Sequence, residues 1–321
     1  MADFPSMPFP FNVTLSSPLF DLSSVGLNVS QGWVPSCSLP ECVPTASWST
    51  GSIGASLSFQ FWGGDVAFDG NVRGNMSVEL LRDGVREMWS PSEDTLFRSR
   101  GQDIDNLYSH NISLRVLDAS PDAELIIKQA QVNGSTLIYE ADGDSHSWFI
   151  PSSDDRLNYT GFIQQTSAAS AGSETTYISS KPGDTVSMEF NASTLLIYGP
   201  CGPTNGLMRV TINGRESTIN TSAPIPSSDC LLFQSWALTG TIMNQLLVEN
   251  ADGGMLGIDR IYFWWGTLDY GRHTSSPVAK TVVIVLGSVL AVALVWVGWV
   301  IFSRKYEKGK QVRRILRSFC S

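Results

Sequence analysis

Three tryptophans stand beside turn-rich stretches of this 321-residue chain: Trp62 and Trp89 in its first third and Trp236 further on. An exposed indole can stack on a pyranose face while polar neighbours bond the hydroxyls, so these three are the candidate ligand-binding residues. A Trp beside a strand is ordinarily a core residue, and that is the competing reading. Trp33 and Trp48 are assigned to packing, together with Phe162 and Tyr177, which recur at matching places 129 residues later. The residues for other chemistries are scarce. His110, His146 and His273 are the only histidines and are scattered, so no metal site is expected. Asp144, His146 and a serine would make a triad only on paper, because no Gly-x-Ser-x-Gly elbow presents a nucleophile, and His146 reads as a polar linker residue. Asp142-Gly143-Asp144 opens like a calcium loop but reaches Ser153 where a Glu is required. No catalytic residue and no cofactor is expected.

Cysteines and asparagines carry the remaining chemistry. Four of the five cysteines lie before residue 231, and the pairs expected are Cys37–Cys42 and Cys201–Cys230, each within one repeat as defined below. Cys320 is an isolated thiol or an acylation site. Asn-x-Ser/Thr acceptors occur at Asn12, Asn28, Asn75, Asn111, Asn133, Asn158, Asn191 and Asn220. With 14 Asn before the apolar span and 58 Ser or Thr in the first 276 residues, chance supplies about three such sites. Eight argue for a glycosylated ectodomain.

The charge distribution places these residues. The net charge of −9 divides into −16 for residues 1–279, +1 for Lys280 and +6 for residues 303–321. So acidic a body excludes nucleic acid as a partner. Residues 281–302 carry no charge and, as a helix, reach roughly 33 Å, enough to span a hydrocarbon core. Basic residues from Arg304 to Arg317 put the following tail in the cytoplasm, leaving the N-terminal body extracellular or lumenal, at the plasma membrane or an endomembrane. Against this, the opening MADFPSMPFPFNVTLSSPLF is not a signal peptide, and a tail-anchored body in the cytosol is the alternative. Val312, Ile315, Leu316 and Phe319 form the apolar stripe of a short basic helix suited to an anionic leaflet.

The elements positioning all this read as strands. Self-comparison at an offset of 129 aligns Phe20 with Phe149, Gly32-Trp33 with Gly161-Phe162, Gly54 with Gly183, Phe61 with Phe190 and Gly70 with Gly199. With small drifts the match continues through Asp83-Gly84 and Asn213-Gly214, the dipeptides of two-residue hairpins, to Leu125-Ile126-Ile127 and Leu256-Gly257-Ile258. Ala55–Phe61 and Val186–Phe190 alternate apolar and polar residues. The expected fold is all-β: a segment 1–14, a sandwich over 15–134, a linker 135–144, a second sandwich over 145–267, a juxtamembrane linker 268–280, one transmembrane helix 281–302 and a tail 303–321.

The doubled pattern of a Gly-Trp strand, a Ser-x-x-Phe strand, a Tyr-Gly or Asp-Gly exit and a Leu-Phe before the last strands, followed by one span, resembles a large group of uncharacterised fungal single-pass membrane proteins. Their ectodomain is a tandem of galactose-binding-like jelly rolls. IYGPCGPTNGLMRVTINGRES and SSDCLLFQS are the nearest parts, and the resemblance covers about residues 15–310. It implies a surface or endomembrane protein. The short tail departs from the group. The function expected is a glycan or cell-wall binding or adhesion module, with a protein-binding ectodomain lacking a sugar site and a jelly-roll hydrolase as alternatives. An apolar patch on a sheet face would favour the protein partner.

Overall fold

A computed structural model describes residues 4–5, 11–37, 39, 46–101, 109–133, 146–166, 175–192, 194–235, 238, 242–265 and 267–268. These residues are all-β, without a helix among them, and no helix of theirs is long and apolar enough to cross a membrane. The expected linker 135–144, residues 269–280 of the juxtamembrane linker, the span 281–302 and the tail lie outside the described residues, as do Cys42, Trp236 and Cys320, whereas Leu268, expected in that linker, ends the last strand.

The first half builds two antiparallel layers. One runs β10 (Thr95–Ser99), β7 (Asp65–Arg73), β12 (Glu124–Asn133), β5 (Trp48–Thr50), β4 (Val34–Pro35), with β2 (Phe11–Thr14) also paired to β12. The other runs β3 (Phe20–Leu22), β6 (Ser56–Trp62), β11 (Ser109–Ala119), β8 (Met76–Arg82), β9 (Val85–Arg86). Alternation sends Leu57, Phe59 and Phe61 of β6 inward, where the Phe59 ring meets Phe68 of β7 edge-on at 5.7 Å between centroids. Trp33 and Trp48 are fully buried in this core, as their packing assignment requires.

The second half repeats the plan. A layer β14 (Asn158–Thr160), β17 (Thr185–Phe190), β22 (Asn244–Asn250), β19 (Leu207–Ile212), β20 (Arg215–Asn220) faces β13 (His146–Pro151), β24 (Arg260–Trp265), β18 (Thr194–Cys201), β21 (Ser227–Gln234). Beside them lies a three-stranded sheet, β15 (Ile163–Thr166), β16 (Thr175–Ser179), β23 (Leu256–Ile258). A short ladder joins β1 (Phe4–Pro5) to β25 (Thr267–Leu268). Strand β12 is one strand with an irregularity between Ile127 and Gln129, whereas its counterpart is cut at Asp259 into β23 and β24.

The ladders correct two expectations. Asp21 pairs with Ser58 and Asn158 with Ser187, so the counterpart of Phe20 is Leu157, and both are buried; Phe149 sits on β13 and is 56% exposed. The connection from β14 to β17 is eight residues shorter than that from β3 to β6, so the offset is 137 at β14 and 129 from β17 on, which residue matching at a fixed spacing misses. His146 is the first residue of β13, paired with Trp265 of β24, rather than part of a linker. Phe162 packs, half-buried, against the second core, and half-buried Tyr177 stacks on Tyr159 with centroids 4.0 Å apart, so both pack, less deeply than Trp33 and Trp48.

Residues 1–269 form one compact unit, and the sandwiches meet through specific contacts. Leu196 and Leu231 of the second half bury themselves in the core cluster of the first. The Ser17 hydroxyl donates to the Leu231 carbonyl. The Gln234 side chain accepts from the Trp62 backbone N–H at 3.2 Å and donates to its carbonyl at 2.9 Å. Cys201 and Cys230 are joined in the expected disulfide, which closes 29 residues and constrains the unfolded chain by ~3–4 kcal/mol. Cys37 is also disulfide-bonded.

Glycines at the same repeat position show why the repeat is legible. A Cβ on Gly70 would collide with the Ile126 carbonyl oxygen, and one on Gly199 with that of Gly257, so β7 and β18 approach their neighbours too closely for any side chain. At the hairpin tips Asp83 and Asn213 have φ of 52° and 51°, followed by Gly84 and Gly214 at 79°, the two-residue turn expected of these dipeptides. Gly199→Ala should therefore cost ~2–3 kcal/mol by forced strand separation. Gly84→Ala, open to solvent but left-handed, should cost only ~1–2 kcal/mol. Urea unfolding that ranks the two the other way round would remove the close-approach explanation.

Candidate functional site

A groove of about 670 Å³ opens at one end of the first sandwich, lined by Val72, Asn75, Met76, Ser77, Trp89 and Asp118 together with Gly74, Pro91, Ala119 and Ser120. Three local features build it. The β7–β8 connection turns at Gly74, with φ of 67°, and presents Asn75. The segment after β9 lays Trp89 half-buried against the core, its ring 6.5 Å from that of Phe97. The register of β11 on β8 slips between Val116 and Asp118, a bulge that re-aims the strand so that Asp118 pairs with Ser77 at the rim.

The polar lining is held in place from behind. Ser120 Oγ accepts from the Asn75 N–H at 3.2 Å and donates to Asp122 Oδ1 at 2.7 Å, while the Ser120 N–H donates to the Asn75 carbonyl at 2.9 Å. The Ser120 hydroxyl keeps the Asp122 carboxyl below the usual carboxylate range. Asp118 Oδ1 accepts from the Ala119 N–H at 3.0 Å, and no described group donates to its other oxygen. One aromatic wall, a carboxylate and several hydroxyl or amide groups can stack a sugar ring and bond its hydroxyls.

Of the three tryptophans singled out from sequence, Trp62 and Trp89 are described, and these two do not converge. Trp62 pairs with Ser109 at the start of β11 and is tied to Gln234, whereas Asp118 lies nine residues along the same strand, roughly 30 Å away. Trp62 thus marks the junction of the sandwiches, and of these two Trp89 reaches the groove. Asn12, Asn28, Asn75, Asn111, Asn158, Asn191 and Asn220 all present exposed side chains.

Two further features escaped sequence reading. On the outer face of the β13–β24–β18 sheet, Phe149 and Tyr262 pair across strands with rings 5.4 Å apart, and Arg260 lies 4.5 Å over the Tyr198 ring while bonding Asp229 and Asp259 at 2.7 Å. Burial pushes the Tyr198 phenol up to about 12. The second is a polar cluster at the Trp62 end, with His110 and Arg82 buried and Asp83 exposed at the hairpin tip. His110 Nδ1 stands 2.7 Å from Asp83 Oδ2, the Asn111 N–H donates to Asp83 Oδ1 at 2.8 Å, and buried Arg82 donates to Ser99 Oγ and the Gly64 carbonyl. The second copy fills the same places with Asn213 and Asn244, whose side-chain amides bond at 2.8 Å. The Asp-Gly turn signal was readable; its His partner, 27 residues on, was not.

No family model matches the chain, and no curated protein does. Among solved structures, a family two carbohydrate esterase from Cellvibrio japonicus is 14% identical over 38% of this chain and 35% of that one, TM-score 0.28. A Paenibacillus xanthan lyase is 12% identical over 83% and 27%, TM-score 0.29, and the tandem CBM22-1-CBM22-2 domain of Paenibacillus barcinonensis Xyn10C is 11% identical over 82% and 92%, TM-score 0.21. The chain spans about a third or less of the first two.

Partial burial alone would raise the Asp83 pKa, but the Asn111 N–H and the His110 and Arg82 partners outweigh it and hold the carboxyl below its usual range. A depressed carboxylate contributes stability above its unfolded pKa and loses it as pH falls through the folded one. The stability gap between the wild type and Asp83→Asn should therefore be full at pH 7 and close on acidification below about pH 4. A gap independent of pH in urea titrations would refute this electrostatic role.

Proposed function

We propose that this protein is a single-pass membrane glycoprotein whose tandem β-sandwich, of the galactose-binding-like jelly-roll kind, stands outside the cell or in a lumen and binds glycan or cell-wall polymer without catalysis. The observation that carries the reading is the Trp89 groove: an aromatic wall beside Asp118, which a β-bulge sets at the rim. The groove volume suits a small ligand of one or two sugar units. Exposure of seven of the eight glycan acceptor sites supports placing the body on the extracytoplasmic side. The uncharged residues 281–302 and the basic tail supply the anchor and its orientation.

One observation favours a second reading, in which the partner is a protein. Phe149 and Tyr262, 56% and 38% exposed, give the second sandwich an aromatic sheet face with a paired Arg260 beside it. Such a face suits the centre of a protein interface, where Tyr, Phe and Arg are enriched.

The two readings separate in one set of binding measurements on the full chain freed of N-glycans. Oligosaccharide binding on a glycan array, followed by calorimetry, should weaken at least tenfold in Trp89→Ala, the equivalent of 1.4 kcal/mol, and remain unchanged in Tyr262→Ala. If no array sugar binds, or if Trp89→Ala binds like the wild type, the groove is not the ligand site. Loss of a protein partner in Tyr262→Ala alone would establish the second reading instead.

A further inference from the structure

We infer that the Trp89 groove is occupied by the chain's own glycan, attached at Asn75, and so is closed to free sugar whenever Asn75 is modified. The inference rests on the reading of that groove as a pyranose subsite. Asn75 is an Asn-Met-Ser acceptor that lines the groove itself, two residues before Ser77 in the same wall. Its exposed side-chain amide makes no hydrogen bond to a described residue. Three other acceptors are engaged: Asn28 Oδ1 accepts from Ser30 N–H and Oγ, Asn111 Nδ2 donates to Ser113 Oγ, and Asn220 Oδ1 accepts from Ser222 N–H.

The backbone of Asn75 is fixed in both directions by Ser120, as its N–H donates to the Ser120 hydroxyl and its carbonyl accepts from the Ser120 N–H. An N-acetylglucosamine on Nδ2 therefore starts from an ordered base. It would meet Trp89 and Met76 with its apolar face and Asp118 and Ser120 with its hydroxyl and acetamido groups. A ligand joined through so short a link has an effective concentration in the millimolar range or above, and excludes free sugars that bind no more tightly than that.

The experiment uses the full chain from a eukaryotic secretory host. Glycopeptide mass spectrometry should find Asn75 occupied; an unmodified Asn75 overturns the inference. Thermal denaturation then compares wild type, Asn75→Gln, Trp89→Ala and the double variant. Glycan loss should lower Tm by about 2–4 °C with Trp89 present and by nothing measurable in the Trp89→Ala background. Equal shifts in both backgrounds would mean that the glycan projects into solvent, and overturn the inference. The same four chains made in a bacterial host, without N-glycans, should show no coupling between the two positions; coupling there would assign the effect to the Asn75 side chain and also overturn it. Free oligosaccharide supplies a separate arm: Asn75→Gln should bind it at least tenfold more tightly than the glycosylated wild type. If neither glycan-free chain binds any sugar, the exogenous-ligand reading fails, while the denaturation cycle still decides where the Asn75 glycan lies.

Discussion

A strand that is buried on one face cannot slip by one residue without turning its whole apolar set to water, and every layer of this protein depends on that constraint. Leu57, Phe59 and Phe61 of β6, or Val186, Met188 and Phe190 of β17, commit their strands to a single face. The devices that pin register then have something to act on. Positive-φ turns at Asp83-Gly84 and Asn213-Gly214 set the β8–β9 and β19–β20 hairpins. Gly70 and Gly199 let the adjoining strand pass at backbone distance.

Departures from regular alternation occur where the surface becomes distinctive. The bulge after Val116 turns the end of β11 toward the groove and brings Asp118 to its rim. The irregularity after Ile127 bends β12 between two partners, β5 and β2, and its counterpart at Asp259 separates β23 from β24 altogether. Asp259 then serves Arg260, whose guanidinium covers Tyr198 on the outer face. An interruption in the ladder thus supplies Asp118 at the groove and Asp259 beside Arg260.

The two copies also divide labour. Copy one holds its hairpin tip with an Asp83–His110 pair beside buried Arg82, copy two with Asn213–Asn244. The same geometry is satisfied once by charge and once by neutral amides, so acid acts on only one of them. The junction uses side chains from both copies: Leu196 and Leu231 extend the first core, and Gln234 satisfies the backbone of Trp62.

Much of this was legible in order along the chain. Period-two runs marked β6 and β17, the dipeptide turns marked the β8–β9 and β19–β20 hairpins, and two cysteines within one repeat marked the Cys201–Cys230 bridge. A fixed offset of 129 failed at Phe149 because the connection from β14 to β17 is eight residues shorter than its counterpart, and residue matching has no means of seeing which strand a neighbour pairs with. The same limit made Trp62, Trp89 and Trp236 look alike. By itself the sequence determined strand period, turn chemistry and the density of glycan acceptor sites, because these depend on residues a few positions apart. Only the tertiary structure decided that Trp89 meets Asn75 and Asp118, that Trp62 meets Gln234, and that Asp83 meets His110. Each of those meetings joins residues separated by between 14 and 172 positions, and sheet pairing, not local preference, sets who stands beside whom.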